Sequence, residues 1–145
     1  LSVVMIYGTE KNNKRTTLLT QQTMTKTFIN YSNHPSDKWS DKMLAEARTF
    51  GEIIDIPFVA VDPSASKEQI VALSDDIVRS IVSLYPNPND TVLMVQGEMS
   101  LTFHLVMKFK ERGYICLAST SERLSTIDSD GNRVTRFEFT RFREY

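Results

Sequence analysis

Disulfide chemistry is closed to this chain, because it has one cysteine, Cys116, set in the apolar run Tyr114-Ile115-Cys116-Leu117-Ala118. A lone thiol builds no intrachain framework, which fits a reducing, cytoplasmic setting, and a small buried hydrophobe is its ordinary role. Histidine is almost as scarce. His34 and His104 beside one cysteine make no zinc-ligand spacing, so no metal and no resident cofactor are expected. Neither a Walker motif nor a G-x-G-x-x-G pattern occurs, and no G-x-S-x-G elbow marks a hydrolase triad. Scattered carboxylates alone define no glycosidase pair. No apolar stretch approaches the roughly 18 residues of a membrane span, and the N-terminus lacks a signal peptide's apolar core and cleavage site. Excess charge is missing too: 17 basic and 18 acidic side chains leave a net −1. That field is too weak to hold a long nucleic acid, although a short nucleotide needs only a local site.

What remains is the composition of a globular domain. The 145 residues, 41% hydrophobic and 24% charged, suffice for one core. Residues 1–25 stand apart, Thr- and Gln-rich with no sustained period, and are expected to be a mobile N-terminal extension; an added edge strand at Val3–Tyr7 is the alternative. Residues 26–145 form the domain. Thr27–Tyr31 predicts a first strand, and a helix follows from Ser36 or Ser40 to Phe50, with Trp39, Met43, Ala47 and Phe50 on one face. Gly51 is expected to cap it in the left-handed conformation. Ile53–Ile56 is the second strand. Ser66 with Gln69 makes a capping box for a helix whose Ile70, Leu73, Ile77, Ile81 and Leu84 share a face. Thr91–Val95 reads as a strand buried on both faces, then a helix carries Leu101, Leu105, Val106 and Phe109 inward. Tyr114–Ala118 is the fourth strand. Asp130-Gly131 marks a closing hairpin whose last strand alternates aromatic and polar faces. The order predicts an α/β fold: a three-layer Rossmann-like sandwich, mostly parallel, with a C-terminal antiparallel hairpin.

In such a sheet ligands bind beyond the carboxyl ends of the strands, where strand order reverses. With the first strand central, three polar stretches fall at that end. Ser32-Asn33-His34-Pro35-Ser36 precedes a helix, whose free N–H groups and dipole favour an anion; His34 can donate to a phosphate or shuttle a proton. In Gln96-Gly97-Glu98, Gly97 allows close backbone approach, Gln96 can read a base or sugar edge, and Glu98 can bind ribose or act as a base. After the fourth strand, Thr120, Ser121 and Arg123 can hold phosphate, Arg123 in bidentate fashion. Each has a plain structural alternative: Ser36 as a helix cap, Asn33 and His34 as turn residues, Glu98 as a helix-start carboxylate, Arg123 in an ion pair with Glu122. His34 and Glu98 are the candidate catalytic residues.

Across Thr27–Tyr145, "INYSNHPSDKWS", "VQGEMSLTF", "ASTSER" and "FEFTRFREY" together resemble a family of small bacterial and archaeal proteins, some CRISPR-associated and many uncharacterised. The resemblance implies a Rossmann-like fold similar to domains that bind cyclic oligoadenylate, usually as homodimers, some of which cut their ligand. No named catalytic residue of a characterised relative maps onto a position here, and the N-terminal extension departs from the pattern. The expectation is a binder of a phosphate-bearing small ligand, a nucleotide or cyclic oligonucleotide, acting as sensor or ring-opening nuclease in prokaryotic defence. Two alternatives stand beside it. One is a non-enzymatic homodimeric module using Phe137, Phe139, Phe142 and Tyr145; the other is a metal-independent hydrolase or transferase acting on a nucleotide or sugar phosphate.

Overall fold

Strand and helix alternate along the chain until the last two strands, which follow one another directly. The computed structural model describes residues 25–145; the expected extension up to Met24 and the strand considered at Val3–Tyr7 lie outside the described residues. The strands are β1 (Thr27–Ser32), β2 (Glu52–Asp55), β3 (Thr91–Gln96), β4 (Ile115–Ile127) and β5 (Arg133–Glu144), and the helices α1 (Asp41–Phe50), α2 (Lys67–Leu84) and α3 (Met99–Glu111). They make one mixed sheet in the order β2-β1-β3-β4-β5. The first four strands run parallel and β5 is antiparallel to β4. β1 therefore has β2 and β3 on opposite sides, as expected.

Side chains alternate across the strands and divide the core. Phe28, Met94 and Leu117 meet Met43 and Ala47 of α1, with Phe142 of β5. Ile29, Tyr31, Leu93, Val95 and Cys116 meet Ile70, Val78 and Ile81 of α2 and Leu101, Leu105 and Phe109 of α3. Burying each large apolar side chain contributes about 1.5–3 kcal/mol. The Ser66–Gln69 capping box starts α2 as expected.

Three local expectations change. Ser36 does not cap α1. It opens a short 3-10 helix, Ser36–Lys38, and Ser40 caps α1 by accepting from the Met43 amide. Gly51 sits at φ 155, ψ −171 rather than left-handed, a region essentially restricted to glycine. A Cβ there would lie 2.4 Å from the Lys26 carbonyl. The fourth strand does not end at Ala118 but runs to Ile127, so Ser119–Arg123 is ladder rather than loop. Opposite the Thr120/Ser121 step a register shift leaves Thr140 unpaired between Phe139 and Arg141. That irregularity exchanges the faces, so Phe142, not Arg141, joins Phe139, with ring centroids 5.0 Å apart. Gly131 supplies the positive φ of the hairpin turn, where Asp128 Oδ1 accepts from the Asp130 and Asn132 amides.

Candidate functional site

At the carboxyl end of the sheet β3 and β4 part company. Their ladder covers Val92–Met94 against Ile115–Leu117 and goes no further. Side chains bridge the gap instead. Gln96 Oε1 accepts from the Ser119 amide at 3.0 Å and its hydroxyl at 2.8 Å, and the Tyr145 hydroxyl donates to the Val95 carbonyl at 2.7 Å. Gln96 is thus a structural strut, its amide committed to β4 rather than free to read a ligand edge. Asn33 donates from its backbone N to the Gln96 carbonyl at 3.3 Å. The three polar stretches read from the sequence do converge at one rim.

The β1–α1 loop is held from beneath. Asn30, 2% exposed, donates to the His34 carbonyl and to Asp55 Oδ1, both at 2.8 Å. Ser32 donates its hydroxyl to Asn30 Oδ1 at 2.6 Å and accepts from the His34 amide. Trp39 Nε1 donates to the same His34 carbonyl at 3.0 Å. Asp55 Oδ2 takes the Ser36 amide and hydroxyl at 3.0 and 2.9 Å. Ser32 and Ser36 are therefore loop-building residues. The charge-assisted bonds to Asp55 fill the place where an anion was expected at the loop's helix start.

The start of α3 is filled in the same way. Glu98 accepts from the Ser100 and Leu101 amides, and the Leu101 amide, the Ser100 hydroxyl and the Ser100 amide together hold its carboxyl below the usual range. Its carboxylate serves the helix rather than a substrate. The Gly97 amide donates to Thr102 Oγ1 at 3.1 Å. The close approach that Gly97 permits is made by the Phe58 ring, which a Cβ would meet at 2.5 Å. Phe58 also packs on Tyr31, with centroids 4.9 Å apart. The 3-10 start at Ser36 and the start of α3 thus carry carboxylates of the chain itself, whereas α1 starts at Ser40, beside the side chains that could meet an external anion.

Those side chains meet in a crevice of about 460 Å³ between the β1–α1 loop and the β4–β5 hairpin. Asn33, His34, Thr120 and Ser121 line it with Ser119 and with Phe137 and Phe139 of the aromatic strand, joined by two residues that the sequence did not single out for a site, Lys38 and Trp39. No carboxylate is among the lining residues. Phe137 is 70% exposed, a large ring held open to solvent at the mouth. Arg123 lies directly across the ladder from Phe137, at the outer margin, and forms no ion pair among the described residues. Lys42 stands 6.0 Å from the Phe139 ring centroid. Thr120 donates to the Arg141 carbonyl at 2.9 Å. The signal that could have found Lys38 was position: it stands four residues after His34 in the segment that Pro35 and the 3-10 turn fold back on itself. Phe137 was legible only as half of an aromatic alternation.

No group of three or more His, Cys, Asp or Glu able to hold a metal occurs among the described residues. Burial pushes the Cys116 thiol up to about 12, with Lys110 opposing and Glu144 adding to the rise, so it is not a nucleophile. His104 packs edge-on against Phe103, centroids 5.3 Å apart, inside α3. No helix among the described residues is long and apolar enough to cross a membrane.

The fold and rim define an α/β domain with a mixed five-stranded sheet and an open, carboxylate-free crevice at the ends of its parallel strands. The chain belongs to the uncharacterized protein MJ1673 family, whose model matches residues 26–143. No curated protein and no solved structure matches it.

Proposed function

We propose that this chain is a Rossmann-like, three-layer domain whose crevice beside the β1–α1 loop binds a phosphate-bearing nucleotide or cyclic oligonucleotide. One observation carries the reading: cationic, hydroxyl and aromatic groups share a single cleft from which carboxylates are missing. Lys38, His34, Asn33 and the Ser121 hydroxyl line the cleft as donors suited to phosphate oxygens, while the Ser119 and Thr120 hydroxyls already donate to Gln96 and to the Arg141 carbonyl. Trp39, Phe137 and Phe139 offer ring faces for a base, a contact worth about 1–3 kcal/mol per stacked base. Arg123 and Lys42 at the margins add positive field without contacting the floor. A role as sensor or ring-opening nuclease in prokaryotic defence, including a CRISPR-associated setting, follows from the resemblance in sequence. His34 is the imidazole in the cleft and the residue placed to move a proton if the ligand is cut.

Thermal unfolding of the full chain against cyclic oligoadenylates, linear oligoadenylates, mononucleotides and sugar phosphates tests this. A ligand at a hundred times its dissociation constant adds about 2.7 kcal/mol. The expected result is a shift with a cyclic or linear oligonucleotide that Lys38→Ala weakens and that Glu98→Gln leaves in place. If cleavage follows, His34→Ala should remove turnover more than binding. No shift with any of these compounds would end the reading.

A further inference from the structure

On the other side of the same sheet edge lies a larger groove of about 740 Å³, and its character is apolar. Met99, Phe103 and Met107 of α3 line it together with Gln96, Lys110 and Tyr145. Met99 is 85% exposed, Phe103 61% and Met107 48%. Spaced four apart, they form one continuous stripe along the helix, a pattern that marks a contact surface rather than scattered exposure. Of the aromatic final strand, which the sequence offers as an alternative association surface, Phe142 is buried and Phe139 half-buried, while Phe137 and Tyr145 are exposed and Tyr145 lines this groove.

We infer that α3 pairs antiparallel with α3 of a second copy of this chain, about a two-fold axis through Phe103. Two features of the stripe select that occupant. The first is self-complementarity. Met99 and Met107 stand four residues either side of Phe103, so an antiparallel copy sets Met99 on Met107 of its partner, twice, with the two Phe103 rings at the centre. A two-fold interface requires such a patch to match itself. The second is charge. The amino end of α3 carries the exposed Glu98, and its carboxyl end carries exposed Lys110 and Arg112, with Glu111 the one carboxylate there. Antiparallel pairing sets each acidic end beside the other copy's basic end, and opposes the helix dipoles favourably. Lys108 takes no part, since its charge is paired with Asp75 of α2; Lys110 and Arg112 donate only to the Tyr145 and Lys108 carbonyls, and their charge stays unpaired among the described residues. The inference stands apart from the ligand reading, since the two crevices open on different sides of the sheet.

Sedimentation of the full chain should give a species of twice the 16.6 kDa of one copy. Phe103→Glu should weaken the dimer at least about a hundredfold, as removal of a central aromatic anchor from both copies does, with unchanged helical circular dichroism. Phe103→Cys should cross-link to itself on mild oxidation, because facing residues at the centre of a close helix pair fall within disulfide reach and Cys116 is buried. A monomeric wild type would overturn the inference, and would point to an intrachain occupant or a foreign protein on the groove. A dimer untouched by Phe103→Glu, or a Phe103→Cys dimer that does not cross-link, would overturn it as well.

Discussion

The two crevices share one strand end yet differ in almost every chemical respect. On the α1 side the walls include an imidazole, an ammonium, four hydroxyls and three aromatic rings. On the α3 side they are chiefly thioether and aromatic carbon. Gln96 stands between them and belongs to neither as a ligand group, because its amide ties β3 to β4. The contrast arises from where polarity is used up. The chain holds its own Ser36 turn with Asp55 and caps α3 with Glu98, so at α3 the dipole that commonly attracts phosphate is already answered. What distinguishes the polar crevice is then the side chains brought by the loop and the hairpin. A comparison of this kind is testable by asking which changes affect one crevice and spare the other.

The largest effect is expected at Asn30. Its side chain holds the His34 carbonyl, the Asp55 carboxylate and the Ser32 hydroxyl at once, from a residue that is itself buried. Asn30→Ala should cost about 2–4 kcal/mol in urea unfolding, as more than one buried polar group loses its partner. The ligand-induced thermal shift should vanish while the dimer persists. Stability equal to wild type would mean that the loop is not held from below, and the contrast between a braced polar rim and an apolar groove would lose its basis.

Much of this was legible from periodicity. The element order, the strand order around β1 and the Ser66–Gln69 cap all follow from alternation, helical spacing and capping residues. The convergence of the Asn33, Gln96 and Thr120 stretches followed from strand order alone. The roles within the rim did not. Asn30 and Asp55 sit inside apolar runs, where a strand pattern assigns them no task; their function depends on each other across 25 positions, which no local pattern encodes. The continuity of β4 from Ala118 into the expected hairpin was hidden for the opposite reason. Most of its residues from Ser121 to Thr140 are exposed, so the strand carries no buried face to generate a hydrophobic period. The shift opposite the Thr120/Ser121 step then moved Phe142 onto the aromatic face against simple alternation.

Next in size is Phe137. Its exposure means that Phe137→Ala should change stability by no more than about 0.5 kcal/mol. If a base stacks on the ring, affinity should fall by about 1–3 kcal/mol, read by calorimetric titration with the oligonucleotide that gives the thermal shift. Loss of stability without loss of affinity would return Phe137 to a packing role. Gln96→Ala should act more modestly and on both crevices, since it leaves the Ser119 amide without its acceptor. A cost of about 1–2 kcal/mol in unfolding is expected, with ligand affinity lowered and the dimer weakened together; an effect on one crevice only would show that the strut belongs to that side.

The smallest effect, and the one with a defined pH signature, belongs to Glu98. Bonds from the Leu101 amide, the Ser100 hydroxyl and the Ser100 amide hold its carboxyl below the ordinary range. A carboxylate with a depressed folded-state pKa contributes stability above its unfolded pKa and loses it as pH falls through the folded value. Glu98→Gln keeps the shape and removes the charge. At neutral pH the variant should melt a few degrees below wild type, through the weaker cap on α3. As the solution is acidified below the ordinary glutamate range the two melting curves should converge, because wild type Glu98 is then neutral as well. A gap that stays constant down to strong acid would show that the negative charge is not what the α3 start responds to. The amides of Ser100 and Leu101 would then be open to an outside anion after all, and the line drawn between the two crevices would need to move.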